Sequence, residues 1–162
     1  EHARKLLAKT IKQIPDEFTV HEKYHRLLKV MGLNDTYQLH ARSYVQLLLS
    51  NDNSYKAAEV YADLPQGKFE LIDDKQNIEL ATALYHRGNY QAVLKLLLNF
   101  HKRCRNDNAI AQGYFLVAKS LSEDNKAIKF LQYVVANYPN FYYIQDVKEY
   151  LQTLQGMQGS PA

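Results

Sequence analysis

Asn53-Ser54-Tyr55-Lys56-Ala57-Ala58, Gly88-Asn89-Tyr90-Gln91-Ala92-Val93 and Ser122-Glu123-Asp124-Asn125-Lys126-Ala127 echo one another along the chain. Each places a turn residue (Asn53, Gly88, Ser122) two positions before Tyr55, Tyr90 or Asp124, and Ala58, Val93 or Ala127 follows three positions later. The steps are 35 and 34 residues. A recurrence near 34 marks stacked helix pairs, in which each unit buries its apolar face only against its neighbours. A stack of that kind is a surface for holding another molecule, usually a protein.

Outward from these echoes, apolar residues recur with helical rather than alternating spacing. Leu6, Leu7, Ile11 and Ile14 predict a first helix that Pro15 ends. Asp16 is placed to cap a second, with the stripe Val20, Tyr24, Leu27, Leu28 and Met31 and Gly32 as its stop. Further helices are expected over 37–49, 55–64, 75–86, 90–104, 108–121, 124–137 and 142–154. The connection 66–73 reads as the longest and loosest, and its run 68–72 alternates too briefly for a strand. The expected fold is all-α, an α-α superhelix of antiparallel helix pairs closed by a C-terminal capping helix, with 156–162 as a flexible tail.

Composition agrees with that class. Of 162 residues, 46% are hydrophobic and 23% charged, as in ordinary folded domains. Six glycines and four prolines give little punctuation, which favours long helices. The net charge of +3 is too mild to imply nucleic acid. Cys104 is the single cysteine, which excludes an internal disulfide and fits a reducing compartment. The longest apolar run, 93–98, is interrupted by Lys95 and is far short of a membrane span. With no initiator methionine and no signal peptide, the expectation is a piece of a larger protein, cytoplasmic or the cytoplasmic portion of a membrane protein.

These residues together resemble the tetratricopeptide repeat family. In 108–141, Ala118 falls where the first helix closes, Ala127 and Val134 at the small positions of the second, Leu131 in the aromatic slot and Pro139 at the terminal proline. In 74–107 the resemblance is carried by Leu80, Ala81, Gly88 and Tyr90, with departures at Val93, Phe100 and Arg105. In 39–73 it is carried by Val45, Tyr55 and Ala58, with Arg42 and Gln46 departing. A fourth unit would occupy 1–36, and 142–155 the capping helix. The phrase from Val20 to Leu28 is also similar to soluble tails of uncharacterised bacterial membrane proteins. The resemblance implies a non-catalytic scaffold that holds a protein or peptide on its concave face and needs no cofactor. In that register the face carries His40, Ser43, Leu47, Lys75, Glu79, Thr82, His86, Gln112, Leu116 and Lys119. Ser43, Leu47, Ile78 and Thr82 replace the cations and amides of the family's carboxylate-gripping members, so a C-terminal carboxylate is not the expected guest.

Other constellations carry chemistry of their own. His21-Glu22-Lys23-Tyr24-His25 is a literal H-E-x-x-H, in which histidines one turn apart grip zinc while the glutamate activates water. This is the alternative reading, a zinc-binding domain or metallohydrolase. Against it, Lys23 sits inside the motif, and the stripe Val20, Tyr24, Leu27 leaves His21 at its margin and turns Glu22 and His25 to water. His101-Lys102-Arg103-Cys104-Arg105 places cations at a helix C-terminus, worth about 0.3–1 kcal/mol against the dipole. Its other readings are a phosphate or nucleic-acid contact, or a thiol acidified by its neighbours. Tyr133, Tyr138, Phe141, Tyr142, Tyr143 and Tyr150 crowd the last quarter and are expected mostly to bury the final helix, any surplus marking a docking edge or self-association.

Overall fold

Left-handed residues end three of the helices. The computed structural model describes residues 1–64, 69, 71 and 73–159, and every regular element among them is helical, with no strand. In it, α2 (Phe18–Met31) stops at Gly32, whose φ is 68°. Gly32 N–H bonds Lys29 O and Leu33 N–H bonds Leu28 O, both at 3.2 Å. This crossed pair is the Schellman arrangement that satisfies the last carbonyls of a helix. α3 (Asn34–Ser50) ends the same way at Asp52 (φ 57°), with Asn53 N–H on Leu48 O at 2.8 Å. α5 (Asp74–His86) repeats it at Gly88 (φ 80°), with Asn89 N–H on Leu84 O at 2.9 Å.

The next helices start at once. Asn53 caps α4 (Ser54–Ala62), its Oδ1 accepting from Lys56 N–H at 3.3 Å, and Asn89 precedes α6 (Tyr90–Leu96). The equivalent turn residues are thus Asp52 and Gly88, one place out of the register read from the sequence. Ser122, before α9 (Asp124–Asn137), has no left-handed backbone around it, because α8 (Asp107–Ser120) ends in extended Leu121. The three echoes nonetheless open the second helix of a pair, and Ala58, Val93 and Ala127 are all buried.

The chain divides into two compact units, Glu1–Phe69 and Glu70–Ala162. In the first, α1 (His2–Gln13), α2, α3 and α4 pack each against the next. In the second, α8 lies against α5, α6, the short α7 (Phe100–Arg103) and α9, and α9 carries α10 (Ile144–Gly159). The helix expected over 90–104 is broken at 97–99, where Phe100 N–H reaches Leu97 O at 3.2 Å in a tightened turn. The break accompanies a close fit: Phe100 is buried on Gly113 of α8, where a Cβ would stand 2.9 Å from its ring. α10 begins two residues later than expected and runs past 155 to Gly159, so the tail expected from 156 is helical that far; residues 160–162 lie outside the described ones.

The connection before α5 is not loose at Leu71. Asn77, wholly buried, accepts from Leu71 N–H through Oδ1 at 2.9 Å and donates through Nδ2 to Leu71 O at 2.7 Å. The side-chain amide thereby replaces a strand partner for one buried residue. The rest of the run 68–72, apart from Phe69, lies outside the described residues.

Two measurements follow from these turns. Gly88→Ala forces a side chain into a left-handed backbone with open space around it and should cost about 1 kcal/mol, whereas Asp52→Gly should gain about 0.5 kcal/mol, both read from urea unfolding midpoints. Asn77→Ala leaves Leu71 N–H and C=O buried without partners and should cost about 3 kcal/mol.

Candidate functional site

Two places in the chain concentrate unusual chemistry, one in each unit. In the first unit the buried face of α2 is His21, Tyr24, His25 and Leu28, spaced i, i+3, i+4, i+7. The stripe is therefore rotated by one residue from the one that hydropathy predicts. His21 is 3% and His25 9% exposed, so these are not surface histidines. They lie on α3, where Tyr37, His40 and Tyr44 complete an aromatic layer. His21 stacks on His40 (5.2 Å between centroids) and on Tyr44 (5.5 Å), and Tyr24 meets His40 edge-on at 4.7 Å.

A backbone carbonyl places one proton in this layer. Pro15 O, 2.6 Å from His21 Nε2, can only accept, so Nε2 carries the hydrogen. With Nε2–H given to Pro15 O, the tautomer of His21 that leaves Nδ1 bare accepts there from His40 Nε2–H at 3.0 Å. His40 is left with a bare Nδ1, buried and without a hydrogen-bond partner; so is Nδ1 of His25, whose Nε2 lies 3.3 Å from Tyr37 Oη. Burial pushes the His40 imidazole down to about 3, helped by repulsion from His21 and His25. Burial lowers His25 as well, against the pull of Asp63.

The H-E-x-x-H residues do not converge. Both nitrogens of His21 are engaged, and Glu22 turns outward to accept from Arg26 at 2.7 Å, with Lys56 at 3.9 Å. Among the described residues no group of three or more His, Cys, Asp or Glu is placed to hold a metal ion.

The helix-face residues expected to bind a partner fall in both units. His40 and Leu116 are buried and offer no surface. Ser43 is exposed and Leu47 half-buried in the first unit. In the second, Lys75 and Glu79 pair with each other at 3.9 Å, Thr82 Oγ1 donates to Ile78 O, and Gln112 is half-buried. Lys119 sits over the rings of Tyr85 and Phe115 at 4.6 and 4.4 Å, so its charge is spent on aromatic faces. His86 is exposed beside Tyr85.

The second unit holds a groove that the sequence reading missed. A cavity of about 480 Å³ is lined by Leu94, Leu97 and Leu98, by Phe100 and His101 of α7, by Ile110, Gly113, Tyr114 and Val117 of α8, by Leu121 and by Phe130 of α9. A second hollow of about 310 Å³ adjoins it at Tyr114 and Phe130 and adds Lys126, Lys129 and Tyr133. Leu98 on its wall is 70% exposed. The signal was available in 93–98: five apolar residues in six give a helix more hydrophobic faces than one packing contact covers. The basic cluster after it contributes His101 to the lining, while Cys104 is buried and its thiol is pushed up by that burial rather than acidified. In the tyrosine-rich quarter, Phe141 joins Val147 and Leu154 in the core, whereas Tyr142 and Tyr143 stay exposed.

No protein-family model, curated protein or solved structure matches the chain. Among the described residues no helix is long and apolar enough to cross a membrane.

The histidine layer makes stability depend on pH. The folded chain holds His40 neutral between about pH 3 and 6.5 while the unfolded chain protonates it, so the folded state is favoured in full above 6.5 and loses ground as pH falls. At pH 5 the loss from this group is about 2 kcal/mol. In thermal melts His40→Gln, which keeps the donor to His21, should be less stable than wild type at pH 7.5 but show a flatter decline towards pH 5.

Proposed function

We propose that the chain is a non-catalytic interaction module whose helix pairs stack in the tetratricopeptide manner within each unit, and that the groove of the second unit receives apolar side chains of a partner protein's segment. What carries this reading is that groove. Its lining is almost wholly apolar, and it is accessible along Leu98. A concave, mostly apolar hollow is the kind of place where a guest's apolar side chains are taken up. The packing of α8 against both α5 and α6 supports the stacking, since a repeat array joins each first helix to both helices of the preceding pair. The groove is preferred to the helix face expected from the resemblance because on that face His40 and Leu116 are buried, Lys75 and Glu79 pair with each other and Lys119 lies on aromatic rings, which leaves Ser43 and His86 as its remaining exposed residues. A zinc-dependent reaction at His21, Glu22 and His25 is not proposed, since His21 is committed to Pro15 and His40 and Glu22 to Arg26, which leaves His25 with no second ligand beside it.

The chain has no tryptophan, so a tryptophan on a probe reports binding without background. A peptide of about 12 residues, with leucines at i, i+3, i+4 and i+7 and glutamines elsewhere, should bind saturably. Leu98→Glu should weaken it at least about tenfold, with helix content unchanged by circular dichroism. No binding to wild type, or equal binding to both, would count against the groove. If Leu98→Glu instead abolishes a dimer seen by light scattering, the occupant is a second copy and the partner reading fails.

A further inference from the structure

The partner is not merely apolar. Resting on the interaction reading above, we propose that the groove takes an acidic amphipathic helix, lying along α8 with its carboxylates on Lys126 and Lys129.

The floor sets the shape. Ile110, Tyr114, Val117 and Leu121 recur at i, i+4, i+7 and i+11 along α8 and its end, a ridge about 16 Å long at 1.5 Å per residue. That is three helical turns. A ridge of this period, flanked by Leu98 on one wall and Phe130 on the other, accepts the matching ridge of another helix. Leucines one turn apart on the guest reach the floor together, whereas an extended strand would offer alternate residues at the wrong repeat.

The rim sets the charge. Lys126, Lys129, Phe130 and Tyr133 occupy one face of α9, so two ammonium groups stand beside the apolar wall. Lys126 is held by Glu123 at 3.2 Å, and Lys129 makes no ion pair among the described residues. On the opposite wall His101 reaches the lining, followed by exposed Lys102 and Arg105. A docked segment therefore meets the two ammonium groups of α9 along one side. Carboxylates placed outside its leucine stripe would be matched, and lysines there repelled. A nucleic-acid strand is disfavoured, because the floor would bury sugar and phosphate against leucine and valine.

The test compares three peptides against the full chain at low salt: the leucine–glutamine peptide above, a version with glutamates flanking the leucines, and a version with lysines there. The glutamate peptide should bind about tenfold tighter than the lysine peptide, and the preference should shrink as salt rises. Lys126→Glu/Lys129→Glu, with both sites exposed on a helix that stays folded by circular dichroism, should reverse the order. If the glutamine peptide binds and the charged peptides do not differ, the acidic assignment is overturned and the groove stands. If none of the three binds, the groove itself is overturned. If the glutamate peptide binds while remaining non-helical by circular dichroism, the helical guest is overturned.

Discussion

Helix packing in this chain rests on alanines buried between the helices. Ala41, Ala57, Ala58, Ala81, Ala111, Ala118 and Ala127 are all at most 1% exposed, and each stands on a helix that packs against a sequence neighbour. A small side chain at the crossing lets the larger ones on either side interdigitate, and the dispersion gained depends steeply on that separation. Gly113 carries the same rule to its limit, since only a missing Cβ lets Phe100 lie on α8. The left-handed turns after α2, α3 and α5 then reverse the chain within a few residues, which keeps each new helix beside the last.

Within that frame, polar groups are admitted where they are tied off. Asn77 is buried because both halves of its amide serve one backbone residue. His21 and His40 are buried because imidazoles stack like rings and pass one chain of hydrogen bonds to Pro15 O, while His25 lies against Tyr37. That solution is incomplete, with two ring nitrogens unpartnered, and burial disfavours charge on His25 and His40.

The all-helical fold was legible in the turn residues and in the alanines that recur after them, because both follow from local backbone rules and from spacing. Ala118, Ala127, Leu131 and Val134 are buried as the repeat pattern implies. The face of α2 was misread because hydropathy treats histidine as polar, whereas His21 and His25 act here as aromatic surface. The groove was hidden for another reason. Its walls depend on the break at 97–99 and on the approach of Phe130 to Tyr114, which no single segment encodes. Lys119 looked free because one of its ring partners, Tyr85, lies on another helix, although Phe115 stands one turn before it on α8.

The lone thiol gives the second unit a built-in clock. Cys104 lies between α7 and α8, closed off from water, with Sγ 3.7 Å from Asn106 O. A sulfhydryl reagent can reach it only when that corner breathes, so the pace of alkylation counts excursions of one known junction rather than loss of the whole fold. With no second thiol to confuse the signal, the excursions of α7 away from α8 become a directly observable rate.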